Sequence, residues 1–246
     1  MGNFSKWIGG GLGWALGGPI GAILGFAIGN FFDNKGQAEE FYRSRVSSGA
    51  TGTQSGDFEV SLLVLSAIVI KADGRVDQKE LDFVRQHFVR MFGTERANQS
   101  FRLFKGVIDK GDLSTRQVCL QIQHHMDHPS RLQLIHFLYG IAKADGHVAE
   151  SEVREIEKIG HYLNINLRDL NSIKAMFYEQ ADKYYTILEI EPKATNEEVK
   201  KAYRKMAMKY HPDKLQHLDE SLREGAKEKF QSVQKAYEAI KKERGI

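Results

Sequence analysis

The feature that most restricts the fold of this chain is an uncharged, glycine-patterned stretch near its N-terminus. Between Trp7 and Phe32 there is no Asp, Glu, Lys or Arg, and six glycines recur at every fourth position from Gly9 to Gly29. In water, six glycines would cost a helix roughly 6 kcal/mol relative to alanine. In lipid the backbone must satisfy its own hydrogen bonds, and the stretch would span roughly 39 Å as a helix, enough to cross the hydrocarbon core. We therefore predict a transmembrane anchor within residues 1–33.

The glycine spacing also predicts self-association. Glycines four residues apart lie along one ridge of a helix, and a second helix can approach such a ridge closely. We expect a homodimer that forms through the stripe Gly13, Gly17, Gly21, Gly25 and Gly29. Two alternatives stay open: glycine is frequent in membrane helices in general, and Pro19 can kink the segment or break it into a re-entrant hairpin.

The charges that flank this stretch predict its orientation. Lys6 alone precedes it, whereas Lys35, Arg43 and Arg45 follow it closely. The positive-inside rule then places the long C-terminal part of a single-pass protein in the cytoplasm. Cys119 is the only cysteine, so no disulfide can form within the chain, as is typical of a reducing compartment.

The rest of the chain is predicted to be all-α. Residues 34–56 are polar and rich in Gly, Ser and Thr, which indicates a flexible linker. Apolar residues then recur with the helical period through residues 57–181, and no alternating strand pattern competes. The predicted helices cover 57–72, 77–92, 94–109, 114–127, 130–144, 149–163 and 167–181. We expect a bundle of seven helices.

This bundle contains an internal repeat. KADGRV at 71–76 matches KADGHV at 143–148, and each copy follows an apolar helix. A glycine followed six residues later by Glu80 or Glu152 is similar to the second half of an EF-hand loop. A hydrophobic residue and a lysine occupy the first ligand positions, however, which excludes that calcium site. We expect each copy to turn the chain between two helices.

Two interpretations of the repeated residues are open. In the first, Asp77 and Glu80 form a capping box, while Val76 and Val148 pack inward. In the second, four carboxylates converge on a cation or a basic partner and are weak candidates for a metal site: Asp73, Glu80, Asp145 and Glu152. The duplicated helix–KADG–helix arrangement resembles the TerB family of tellurite-resistance proteins over residues 58–180. That resemblance implies a helical fold and an acidic surface, not a reaction.

A histidine cluster, HHMDH, offers a second metal candidate. His124 and His128 are four residues apart, with His125 beside them, a spacing that can bind zinc on a helix. The glutamate of an H-E-x-x-H motif is absent, which excludes a metalloprotease site. We favour an exposed helix end before Pro129, where protonatable side chains suit the helix dipole.

The last 64 residues, 183–246, carry the most specific pattern. One helix has apolar residues at offsets 0, 3, 4, 7, 8 and 11 from Val199, and its opposite face is basic. These cations are Lys200, Lys201, Arg204, Lys205 and Lys209. A second helix carries the stripe Phe230, Val233, Tyr237 and Ile240. The sequence therefore predicts two antiparallel helices that are joined at His211-Pro212-Asp213.

This C-terminal segment resembles the J-domain of the DnaJ family, because HPD directly follows AYRKMAMKY and precedes KFQSVQKAYE. The resemblance implies that His211, Pro212 and Asp213, together with the basic helix face, bind a DnaK-type chaperone and trigger hydrolysis of that partner's ATP. The chain would then regulate an ATPase and not be an enzyme itself. No P-loop or dinucleotide-binding motif occurs, so we expect no cofactor. The tyrosines of the basic helix face the core, which argues against nucleic acid.

The order of anchor, TerB-like domain and J-domain resembles a family of membrane-anchored, DnaJ-like co-chaperones of the bacterial inner membrane. The join between the two domains is only a few residues around 180–183, so we expect them to be coupled. The alternative function is a metal- or envelope-stress-responsive TerB-type adaptor, in which the J-domain merely delivers chaperone.

Overall fold

The computed structural model describes residues 55–109, 114–144, 146, 149–179, 182–215 and 220–245. The predicted anchor, its glycine stripe and the linker lie outside these residues. The described part is helical with short turns and contains no strand, which confirms the all-α prediction. No helix in this part is both long and apolar enough to cross a membrane.

Within the described residues, seven helices form the bundle, in the number and order that the hydrophobic periodicity predicts. They are α1 (Ser55–Ile70), α2 (Gln78–Phe92), α3 (Thr94–Asp109), α4 (Thr115–His125), α5 (His128–Ala142), α6 (Glu150–Tyr162) and α7 (Leu167–Phe177). Helix α1 is buried on every side from Phe58 to Ile70 and packs against α3, α4, α5 and α6. A helix that is apolar all round belongs at the centre of its domain.

The first KADG copy turns the chain as expected, with one difference. Gly74 adopts the left-handed region at φ +78°, and Asp73 Oδ1 accepts a hydrogen bond from the Arg75 amide at 2.8 Å. The capping box of α2 is present, because the Asp77 amide donates to Glu80 and Asp77 Oδ1 accepts from the Lys79 amide. The inward packing predicted for Val76 is wrong: it is 46% exposed, because the turn projects beyond the core.

In the second copy only half of the cap forms. The Ala149 amide donates to Glu152 Oε2 at 3.2 Å, and Ala149 has no side-chain acceptor to return the bond. Gly146 has a φ of +84°, close to the +78° of Gly74 at the same position of the first copy. Asp145 and Val148 lie outside the described residues.

The C-terminal segment folds as the predicted helical hairpin. It consists of α8 (Lys183–Ile187), α9 (Asn196–Lys209), a short 3₁₀ turn (Pro212–Leu215) and α10 (Glu220–Arg244). Thr195 caps α9 through a capping box with Glu198. The core between the helices contains the predicted apolar residues, including Val199, Met206 and Val233, and the rings of Tyr203 and Tyr237 stack at 4.2 Å.

The hairpin packs directly on the bundle. Helix α8 lies against α7, α10 contacts α2, α5 and α7, and the 3₁₀ turn contacts α5. Ser172 of α7 donates a buried hydrogen bond to the Ile187 carbonyl at 2.7 Å. These contacts support the coupling that we expected from the short join.

Candidate functional site

The HPD turn lies at the tip of the hairpin and faces solvent. The side chains of His211 and Asp213 are 48% and 68% exposed. The Asp213 amide donates to His211 Nδ1 at 3.3 Å, and Asp213 Oδ2 lies 3.5 Å from the same nitrogen, so Nε2 is the ring nitrogen left for a partner. The His211 ring also meets Phe230 edge-on at 5.8 Å. The turn therefore holds a ring donor and a carboxylate where a partner can reach them.

The basic face of α9 extends from this turn. Lys200, Lys201, Arg204 and Lys205 are exposed, and Lys205 pairs with Glu189 at 3.2 Å. Met208, on the same helix, is 70% exposed. The hydrophobic pattern could not single out Met208, because its neighbours belong to the core stripe.

Lys209 differs from the other four cations. Its ammonium lies 2.5 Å from Asp169 Oδ1 of the bundle and 2.5 Å from Glu189 Oε1 of the α8–α9 loop. Its side chain is 19% exposed, while the two carboxylate side chains are 4% and 5% exposed. This cation therefore faces the bundle and not solvent. No sequence pattern indicated Asp169 or Glu189.

A second lysine is buried where the hairpin meets the bundle. Lys229 of α10 is 2% exposed, and its ammonium lies over the Tyr210 ring at 5.4 Å. No carboxylate of the described residues lies within ion-pair distance of it. Burial, with a smaller contribution from Lys209, lowers the pKa of Lys229 to about 7. Burial also lowers the pKa of the neighbouring His136 well below its ordinary value, and the Lys229 charge lowers it further.

The four candidate metal ligands do not form a site in the described residues. Asp73 is exposed, whereas Glu80 and Glu152 are buried and bind the amides at the starts of α2 and α6. Asp145 lies outside the described residues. No group of three or more His, Cys, Asp or Glu side chains is arranged to hold a metal in the part of the chain that the structure describes.

The histidine cluster is divided between two helices, which corrects the single-helix prediction. Helix α4 ends at His125, and α5 begins at His128 after Asp127 caps it through the Ser130 amide. His124 and His125 are exposed, but His128 Nε2 lies 3.1 Å from Asp169 Oδ2. Pro129 lies in the first turn of α5, where proline is favoured because its missing amide proton is not needed. This position explains why a new helix begins here and α4 does not continue.

Family models match three successive parts of the chain. Residues 59–175 match the tellurite resistance protein TerB, residues 183–245 match the DnaJ domain, and residues 1–50 match the co-chaperone DjlA transmembrane domain. The predicted boundaries for these parts were 57–181, 183–246 and 1–33. No solved structure matches.

Several relatives align with the whole chain. The Co-chaperone protein DjlA of Coxiella burnetii is 28% identical over 100% of this chain and 100% of its own. That of Pasteurella multocida is 26% identical over 100% of this chain and 99% of its own. The Chaperone protein DnaJ of Wolinella succinogenes is 53% identical over 24% of this chain and 15% of its own.

The helical hairpin with an exposed HPD turn, matched by the DnaJ family model, defines a J-domain protein. The three matches in this order, and the full-length alignments, place the chain in a narrower group. It belongs to the DjlA-type, DnaJ-like co-chaperones, with a TerB-like central domain.

Proposed function

We propose that this protein recruits a DnaK-type chaperone to a membrane and stimulates its ATP hydrolysis. The observation that carries the proposal is the exposed HPD turn, continuous with the four exposed cations of α9, in a domain that matches the DnaJ family model. The chain acts by contact with the partner, as a regulator of an ATPase.

The chemistry of the surface supports this role. Exposed cations raise the rate at which an acidic partner is met, and they do so most strongly at low salt. Pro212 restricts the backbone at the turn, so little conformational entropy is lost when the turn is bound. Asp213 and His211 then offer an acceptor and a donor that can engage charged groups of the partner.

We further propose that residues 1–33 anchor the chain once in the bacterial inner membrane, with both domains in the cytoplasm. The match of residues 1–50 to a transmembrane family model supports the anchor, and the cations after Phe32 support the orientation. Homodimerisation through the stripe from Gly13 to Gly29 is part of the same proposal.

The test is single-turnover ATP hydrolysis by a DnaK-type chaperone, titrated with the full chain in lipid nanodiscs. We expect the rate to rise with the parent protein and not with His211→Gln, which keeps a side chain of similar size. Equal rates with and without the parent protein would contradict the proposal.

A further inference from the structure

The carboxylate of Asp169 joins three elements at the boundary between the bundle and the J-domain. It belongs to the first turn of α7 and is 3% exposed. Oδ1 accepts from Lys209 Nζ of α9 at 2.5 Å, and Oδ2 contacts His128 Nε2 of α5 at 3.1 Å. One bundle residue thus binds the end of the helix that carries the basic face.

The position of Lys209 makes this contact relevant to the HPD turn. Lys209 is the last residue of α9, Tyr210 caps the helix, and His211 follows. The ammonium is also bound by Glu189, a residue in the left-handed region at φ +59°, where side chains other than glycine are uncommon. The end of α9 is therefore held from two sides by buried carboxylates.

The electrostatics favour a charged contact in spite of its burial. Burial alone would raise the pKa of Asp169, but the hydrogen bonds from His128 and Lys209 hold that pKa well below its usual range. A buried carboxylate that stays ionised needs its partners, because an uncompensated buried charge is strongly unfavourable. Asp169 therefore makes the position of Lys209 costly to change.

The contact leaves most of the partner-binding face exposed. Lys200, Arg204 and Met208 are exposed in the docked arrangement, and so are His211 and Asp213. The hairpin meets the bundle through Lys209, Tyr210 and Lys229, and His211 borders the same contact, where it lines a small cavity together with Pro129 and Leu132 of α5. Docking on the bundle is therefore compatible with a partner at the turn.

We propose that Asp169 is a positioning residue of the co-chaperone: through Lys209 it fixes the end of α9, and so the HPD turn, relative to the TerB-like domain. The proposal rests on the proposed function. It adds a role for the central domain, which holds the HPD turn in the geometry that binds the chaperone. Preorganisation of this kind raises the fraction of molecules whose binding surface is already in the competent geometry.

The first arm of the test compares ATPase titrations of the full chain in lipid nanodiscs. Asp169→Asn keeps the size of the side chain and removes its charge. We expect the concentration for half-maximal stimulation to rise about three- to tenfold, because a smaller fraction of molecules then has the competent geometry, and the maximal stimulation to stay within about twofold, because saturating chaperone still selects that geometry. The control is Glu157→Gln, which removes the same charge from a half-exposed ion pair between α6 and α7, where Glu157 lies 2.8 Å from Lys174. We expect it to behave as the parent protein.

The second arm does not depend on a chaperone. Methyl-labelled methionine and ring-labelled histidine spectra report on Met206, Met208 and His211. We expect Asp169→Asn and Lys209→Met each to shift these signals, and the double variant to shift them no further than the larger single change. Glu157→Gln should leave them in place.

The two arms separate the two proposals. If the parent protein does not stimulate the ATPase but the spectra behave as expected, the proposed function fails and Asp169 still positions the turn. If Asp169→Asn leaves the spectra of the turn and the half-maximal concentration as in the parent protein, the positioning role is overturned. A shift in half-maximal concentration with unchanged spectra would also overturn it, because that result assigns Asp169 to contact with the chaperone and not to the position of the turn.

Discussion

The guanidinium of Arg244, at the end of α10, lies over the ring of Tyr185 in α8 at 5.1 Å and donates to its hydroxyl at 3.0 Å. The same guanidinium donates to the carbonyls of Pro192 and Ala194, each at 2.5 Å, and to Asn196 at 3.2 Å. The side chain of Arg244 thus joins α8, α10 and the loop between α8 and α9. These contacts close the end of the J-domain that is opposite the HPD turn.

Arg244→Ala should therefore destabilise the J-domain. We expect a loss of about 2–3 kcal/mol, because several charge-assisted hydrogen bonds and a cation–π contact disappear together. Thermal unfolding followed by circular dichroism measures the change. Arg244→Lys should recover little, since lysine lacks the planar fork, and full recovery by lysine would show that only the charge matters.

The exposed cations of α9 should control encounter with the partner. Arg204→Glu should raise the half-maximal concentration in the ATPase titration about tenfold, and it should weaken the salt dependence of stimulation. Lys235→Glu, an equal charge change at an exposed position of α10, serves as the control. An equal effect of both substitutions would show that net charge, and not this face, governs the encounter.

The architecture was predictable from sequence because it depends on local patterns. The helical period, the Asp77–Glu80 box and the HPD motif identify helices, turns and domains without any long-range information. The Asp169–Lys209 pair joins residues 40 positions apart. A helical wheel placed Lys209 with the other cations because it shows only which side of α9 the residue occupies, not what packs there.

Stability should rise with pH because Lys229 is buried. Its pKa falls from 10.5 in the unfolded chain to about 7 in the folded one, so the unfolded chain binds more protons across this interval. The loss of folding stability that comes from burying the charged Lys229 has its full size below pH 7, and it disappears as the pH approaches 10.5. His136, whose pKa is also lowered by burial, adds a loss of stability below pH 6.5.

Chemical denaturation between pH 6 and pH 8.5 tests this account, below the range where buried Cys119 and Tyr178 ionise, with pKa values raised to about 12. We expect Lys229→Met to be more stable than the parent protein at pH 7 by about 2–4 kcal/mol and to show a flatter pH profile. A parallel profile for the two proteins would contradict the burial of an ionisable amine at this position.

The glycine stripe should mediate self-association in the membrane. Gly17→Ile places a branched side chain on the stripe and should reduce energy transfer between fluorescently labelled full-length chains in vesicles by at least about half. Ala15→Ile adds similar bulk off the stripe and should leave the signal unchanged. Loss of the signal in both variants would indicate a general effect of bulk on insertion.

We propose that the HPD turn stimulates a DnaK-type ATPase while the chain is anchored in a membrane. The most direct measurement is the single-turnover rate of ATP hydrolysis by the chaperone with the parent protein and with His211→Gln, both as full chains in nanodiscs. We predict an increase of at least about tenfold with the parent protein and a rate near that of the chaperone alone with the variant. Equal stimulation by the two proteins, or none by either, would contradict the claim.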